Sequence, residues 1–151
     1  MISARGLSRS FNGVPAVEDL SLDIAAGSLF ALLGPNGAGK TTTVRLLMGL
    51  IGPTAGTATV AGYRIGGGAD SGRLLRRACG LLTEAPGFYE RMSAHDNLLF
   101  FGRLYGIPDR TLHHQLEHYL RLLELWDRRD DVVGTYSKGM KQRLAIIRAL
   151  F

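Results

Sequence analysis

Three observations predict an α/β fold for this sequence. An apolar run, Leu-Phe-Ala-Leu-Leu at residues 29–33, has the length and character of a buried strand. A glycine-rich stretch, Gly-Pro-Asn-Gly-Ala-Gly-Lys-Thr-Thr at residues 34–42, follows it directly. A helical pattern, Thr-Val-Arg-Leu-Leu-Met-Gly-Leu at residues 43–50, leads out.

The elements follow in order. Residues 2–11 and 17–24 read as two strands separated by the turn Asn12-Gly13-Val14-Pro15. Ala26-Gly27 turns the chain into the apolar run. The next nine residues fit the phosphate-loop pattern of Gly, four residues, Gly-Lys-[Ser/Thr], with Gly34, Gly39, Lys40 and Thr41 in the fixed places. A strand, a glycine-rich loop and a helix gather backbone N–H groups and a positive helix end around one anion. Lys40 is expected to reach β- and γ-phosphates and the Thr41 hydroxyl to ligate Mg²⁺.

Gly52-Pro53-Thr54-Ala55-Gly56 is a strong turn cluster, and residues 57–61 read as a short β-branched strand. Residues 66–68, all glycine, make a flexible connection. Residues 73–77 read as a short helix and residues 79–82 as another buried strand.

After Glu84 the composition turns helical. Ser93-Ala94-His95-Asp96 has the shape of a capping box with Asp in the last place. It opens a helix at 97–105, which Gly106-Ile107-Pro108 stops. Leu112, Leu116, Tyr119, Leu120 and Leu123 then share one helix face. His113, His114 and His118 lie near its polar side. His114 and His118 at i, i+4 lack an evident third ligand, so surface histidines are expected. Ser137 is a natural N-cap for a helix with Met140, Leu144 and Ile147 on one side. Lys138 and Lys141 in its first turn oppose the helix dipole, which hints at an anion there.

A chain of 151 residues suits one domain, and 46% hydrophobic against 21% charged residues excludes a disordered chain. The net charge of +5 comes from scattered residues, with no basic run interleaved with aromatics, so no nucleic-acid partner is expected. Cys79 is the only cysteine, which precludes an intrachain disulfide and fits a reducing compartment. Polar residues throughout positions 1–12 argue against a leader, and no run of about 18 apolar residues exists to cross a membrane.

With both motifs in view, the chain resembles the nucleotide-binding domain of the ATP-binding-cassette (ABC) transporter family. The family's Leu-Ser-Gly-Gly-Gln signature appears as Tyr136-Ser137-Lys138-Gly139-Met140, with Ser137 and Gly139 in place and Lys138 and Met140 departing from the commonest form. The run Arg-Leu-Ala-Ile-Ile-Arg-Ala-Leu at 143–150 also looks like the family's helix. The resemblance covers essentially the whole chain.

It implies a phosphate-loop NTPase core with an N-terminal antiparallel β part and an inserted α-helical subdomain, incomplete at the C-terminus. Residues 1–85 and 137–151 would form the core and residues 86–136 the helical subdomain. It implies ATP and Mg²⁺ as cofactors, held by Phe11 (stacked on adenine), Gly34, Asn36, Gly37, Ala38, Gly39, Lys40, Thr41 and Thr42. Ser137 and Gly139 would contact the γ-phosphate of a second, head-to-tail ABC domain. Glu84 stands where the family usually has a Gln that senses Mg²⁺ and the attacking water. Glu can ligate Mg²⁺ but adds negative charge beside the γ-phosphate.

The resemblance further implies a transmembrane permease partner docked through residues 84–98, with exposed Phe88 and Tyr89 in the contact. The location would be cytoplasmic, peripheral on the inner face of the cell membrane. The family's later apolar strand ending in Asp-Glu, and a further His, have no counterpart by Phe151. The sequence is therefore expected to be the N-terminal part of a longer domain, binding ATP but hydrolysing it very poorly by itself. Its activity when complete would be ATP hydrolysis coupled to export. The alternatives are a soluble ABC-type ATPase of translation or DNA repair, an unrelated phosphate-loop kinase or GTPase, and a degenerate inactive product. The Ser137 motif and the absence of Asn-Lys-x-Asp argue against the kinase or GTPase.

Overall fold

The computed structural model describes residues 1–83, 85 and 87–151, which form two compact units, Met1–Cys79 and Gly80–Phe151. In the first unit, strands β1 (Ile2–Phe11) and β2 (Val14–Ile24) make an antiparallel hairpin. The turn between them is Asn12-Gly13, both at positive φ (49° and 80°). Asn-Gly is the pair that tolerates such a tight turn, so β2 resumes at Val14, three residues earlier than the sequence suggests. Strands β3 (Ala55–Val60) and β4 (Tyr63–Arg64) complete an antiparallel sheet of order β2-β1-β3-β4.

Helix α1 (Lys40–Leu47) follows the phosphate-loop pattern, and α2 (Ala69–Ala78) is longer than the expected 73–77. Ala4, Leu7, Val17, Ala58, Val60 and Ile65 of the sheet region bury together with Leu46 of α1 and Leu75 of α2. Fully burying one such leucine contributes about 1.5–3 kcal/mol.

Two expected strands are absent. Residues 29–33 carry no strand, and Leu29 and Leu33 stand 102% and 87% exposed. Residues 79–82 carry none either. The reason is pairing. A strand exists by bonding to a neighbour, and among the described residues no strand pairs with either run. Hydrophobic content alone marked them as strands, and hydrophobic content does not supply a partner.

The second unit is helical. Helix α3 (Ala94–Leu104) begins at Ser93, whose hydroxyl accepts from the Asp96 N–H at 3.0 Å. Helix α4 (Asp109–Leu122) buries Leu112, Leu116 and Leu120, three residues of the predicted face. Two short 3₁₀ turns, Trp126–Arg128 and Val133–Thr135, lead to α5 (Lys138–Ala149). Leu98, Leu125, Val133, Tyr136, Leu144 and Ile147 join the α4 leucines in one core. Asn97 is also fully buried, in the first turns of α3. It is satisfied by bonding back to the preceding loop. Its Oδ1 accepts from Tyr89 N–H (2.9 Å), and its Nδ2 donates to the carbonyls of Tyr89 (3.0 Å) and Ser93 (2.9 Å). Those bonds fix the loop that carries Tyr89.

Candidate functional site

The phosphate-loop residues lie in the first unit. Three of the loop's glycines have positive φ: Gly34 at 157°, Gly37 at 85° and Gly39 at 81°. Gly39 is the N-cap of α1, in the left-handed region, and contributes no side-chain cap. A Cβ there would lie 2.2 Å from the Ala16 carbonyl oxygen, so the loop passes hard against the start of β2. A Cβ on Gly37 would meet nothing within 4 Å. Glycine is therefore required at 39 on two counts, conformation and space.

Helix α1 has no acidic residue in its first turn. Its opening N–H groups have no intrahelical acceptor by construction, and among the described residues no side chain caps them. Asn36, Gly37, Ala38 and Thr41 are exposed beside this end, Lys40 and Thr42 are half-buried, and Thr43 is buried. Lys40 folds over the loop, its Nζ donating to the carbonyls of Gly34 and Pro35, both at 2.6 Å. An ammonium held over a glycine-rich loop at an uncapped helix start is a site for an anion with several oxygens. Thr41 sits in the first turn, where its hydroxyl suits a hard cation bridging such an anion.

Phe11 ends β1 at the hairpin tip and keeps 43% of its surface exposed. The Arg9 guanidinium lies over its ring, 4.7 Å from the centroid. Because Ala16 and Val17 of the same hairpin touch Gly39, Phe11 and the phosphate loop are parts of one unit.

Ser137 and Gly139 lie in the second unit. Ser137 caps α5, its hydroxyl accepting from the Met140 N–H at 3.2 Å. Lys138 and Gly139 are exposed. Lys141 is not waiting for an anion from outside. Its Nζ donates to Glu90 Oε1 at 2.8 Å, and that contact holds the Glu90 carboxyl below its ordinary pKa. The basic first turn is therefore partly compensated within the chain, by a residue of the expected docking segment. Glu84 lies outside the described residues.

In the docking segment, Tyr89 is exposed, as expected, and its ring stands edge-on to Phe100 at 5.2 Å between centroids. Phe88 is not exposed. It packs against the helical core, edge-on to Phe101 at 6.3 Å, and Arg148 lies over both rings at 4.9 and 4.7 Å. Phe88 closes a core that helix periodicity cannot show, because it lies in a loop. Beside these rings a hollow of about 520 Å³ is lined by Met92, Asp96, Leu99, Phe100, Arg103 and Leu104. Sequence reading also missed Asn97. A lone amide in the apolar run of α3 was the available signal.

A glycine-rich loop of this form running into helix α1 fits the phosphate-loop α/β class. The family model for ABC transporters matches residues 17–151, and the chain belongs to that family. An uncharacterised ABC transporter ATP-binding protein, YxlF of Bacillus subtilis, is 39% identical over 99% of this chain and 48% of its own length. The bacitracin transport ATP-binding protein BcrA of Bacillus licheniformis is 36% identical over 99% and 47%. The solved structure of an ATP-binding subunit of an ABC transporter superposes with a TM-score of 0.83 at 30% identity, covering 98% of this chain and 60% of that one. The chain thus spans about half the length of the curated relatives it matches. The expected α/β phosphate-loop class agrees with these likenesses.

Proposed function

We propose that this chain is the ATP-binding part of an ABC transporter subunit, which couples ATP binding and hydrolysis to export through a separate transmembrane subunit. The observation that carries the reading is the loop at 34–42, running into an uncapped helix with Lys40 bent over it. The family match and the transport function in the name of a relative such as BcrA support it over a soluble translation or DNA-repair ATPase.

The residues present fit ATP. Lys40 would exchange its two loop carbonyls for phosphate oxygens, a charge-assisted contact. The amides around Gly37, Gly39 and Lys40, with Asn36, Ala38 and Thr42 alongside, would cradle the phosphates. Phe11 would take the adenine on its ring. Thr41 would hold Mg²⁺, with Glu84 as a further candidate ligand, and the ion would supply charge neutralisation between phosphates. Ser137 and Gly139 would face the nucleotide of a second ABC domain. The division into a core of 1–85 with 137–151 and a helical subdomain of 86–136 belongs to the same reading, as does a peripheral position on the inner face of the cell membrane. No helix among the described residues is long and apolar enough to cross a membrane.

Residues 84–98 would meet the permease, with Tyr89 and the neighbouring hollow at Met92, Asp96 and Phe100 as the described part of that surface.

The test is binding of a fluorescent ATP analogue in Mg²⁺ buffer. Saturable binding displaced by unlabelled ATP is expected. No binding by a folded chain contradicts the proposal. Turnover near 1 s⁻¹, ordinary for enzymes in general, would overturn the expectation of slow hydrolysis. Recovery of ribosomes and no membrane protein from a membrane pull-down would favour the soluble reading.

A further inference from the structure

We infer that Arg9 is a positioning residue for the nucleobase, acting through Phe11; the inference rests on the proposed role of Phe11 as the adenine platform. Arg9 sits in β1, two residues before the platform, opposite Val17 in the β1–β2 register. Its Nη1 donates to the Gly52 carbonyl at 2.8 Å. That carbonyl belongs to a turn which is itself tied to β1. The Thr54 N–H donates to the Ser8 carbonyl at 2.8 Å, the Thr54 hydroxyl donates to the same oxygen at 3.0 Å, and the Ser10 N–H donates to the Thr54 hydroxyl at 3.0 Å. The guanidinium is thereby anchored at one end to a braced turn. Its other neighbour is the Phe11 ring, 4.7 Å away. Arg9 Nε is buried and has no hydrogen-bond partner among the described residues. No ion pair to Arg9 occurs among those residues either, so its charge is directed at the ring face rather than at a carboxylate.

Two consequences follow for a base laid on Phe11. An exposed phenyl at a hairpin tip otherwise samples several rotamers, and ordering it costs affinity. The guanidinium holds one ring orientation beforehand. A cation on one face also draws π-density toward itself. The ring is then more electron-poor toward a purine on the remaining surface, and 43% of the side chain is still exposed to receive one. Arg9 touches neither phosphate nor base in this arrangement. Its effect should therefore appear only with ligands that have a base.

The experiment compares Kd for MgATP and for Mg-tripolyphosphate, which shares the phosphates and lacks the base, by calorimetry on the chain. The variants are Arg9→Gln, Arg9→Lys, Phe11→Ala and the Arg9→Gln/Phe11→Ala pair. Gln removes the charge but is too short to reach the Gly52 carbonyl that Nη1 bonds, so a loosened turn is read separately, as a lowered unfolding midpoint or a weakened tripolyphosphate affinity. Arg9→Gln is expected to weaken MgATP about two- to fivefold, the range of an exposed cation–π contact, and to leave tripolyphosphate unchanged. Arg9→Lys should restore part of the loss. In the Phe11→Ala background, Arg9→Gln should have no further effect. Equal weakening of both ligands, or an Arg9→Gln effect that persists without Phe11, would overturn the inference and leave the platform in place. If Phe11→Ala fails to separate the two ligands, the platform reading itself fails, and the role of Arg9 with it.

Discussion

Helices α1 and α5 both start with a lysine and carry no acid in their first turn, yet their ends are treated in opposite ways. At α5 the chain completes the end by itself. Ser137 caps it, and Glu90 meets Lys141. At α1 the cap position is a left-handed glycine with nothing to offer, and the nearest lysine is occupied by its own loop carbonyls. The same helical physics thus gives a capped start in one place and, in the other, the start to which the proposed function assigns the phosphates. A helix N-terminus is common; one without a side-chain cap, with a glycine wedged against a neighbouring strand, is less so.

Substitutions can break this contrast. The largest effect is expected for Lys40→Ala. Loss of a charge-assisted contact of about 1.5–3 kcal/mol should weaken MgATP roughly 10- to 150-fold, read by calorimetry, while the unfolding midpoint stays close to the parent's. Gly39→Ala comes next. Its Cβ would meet the Ala16 oxygen at 2.2 Å, and alanine would have to hold φ near 81°. Strain of this kind costs about 1–3 kcal/mol, visible in urea unfolding as a lower midpoint with binding impaired.

Ser137→Ala should cost about 1 kcal/mol through the lost cap, and Ser137→Asp should recover it, because the cost belongs to the helix end. Glu90→Gln has the smallest effect and a pH signature. Lys141 lowers the folded pKa of Glu90. The stabilisation is therefore present above the ordinary Glu pKa of about 4.3 and lost as pH falls through the lowered value. The parent's thermal midpoint should fall slightly more steeply than the variant's below pH 4–5.

The same contrast explains what the sequence could reveal. Local signals read well. Ser93 and Ser137 cap as expected, the α4 leucines bury, Asn12-Gly13 turns, and the loop at 34–42 has its glycines at positive φ. What failed was non-local. Residues 29–33 were apolar enough for a strand, but pairing depends on a neighbour elsewhere. Glu90 and Lys141 lie 51 residues apart, and no periodicity joins them. Phe88 is a loop residue partly buried against Phe101 and Arg148 from other elements. Arg9 and Phe11 share a face of β1 by the strand's period of two, but the Gly52 carbonyl that anchors the guanidinium is 43 residues away.

The most direct measurement is an amide NMR titration of the chain with MgATP at concentrations where it is monomeric. Saturable shifts are expected at the amides of Gly37, Gly39, Lys40 and Thr41, with Lys138, Gly139 and Met140 unmoved, because in a monomer no second domain presents a nucleotide to α5. Shifts centred on α5, or a saturable response that leaves residues 37–41 untouched, would contradict this expectation.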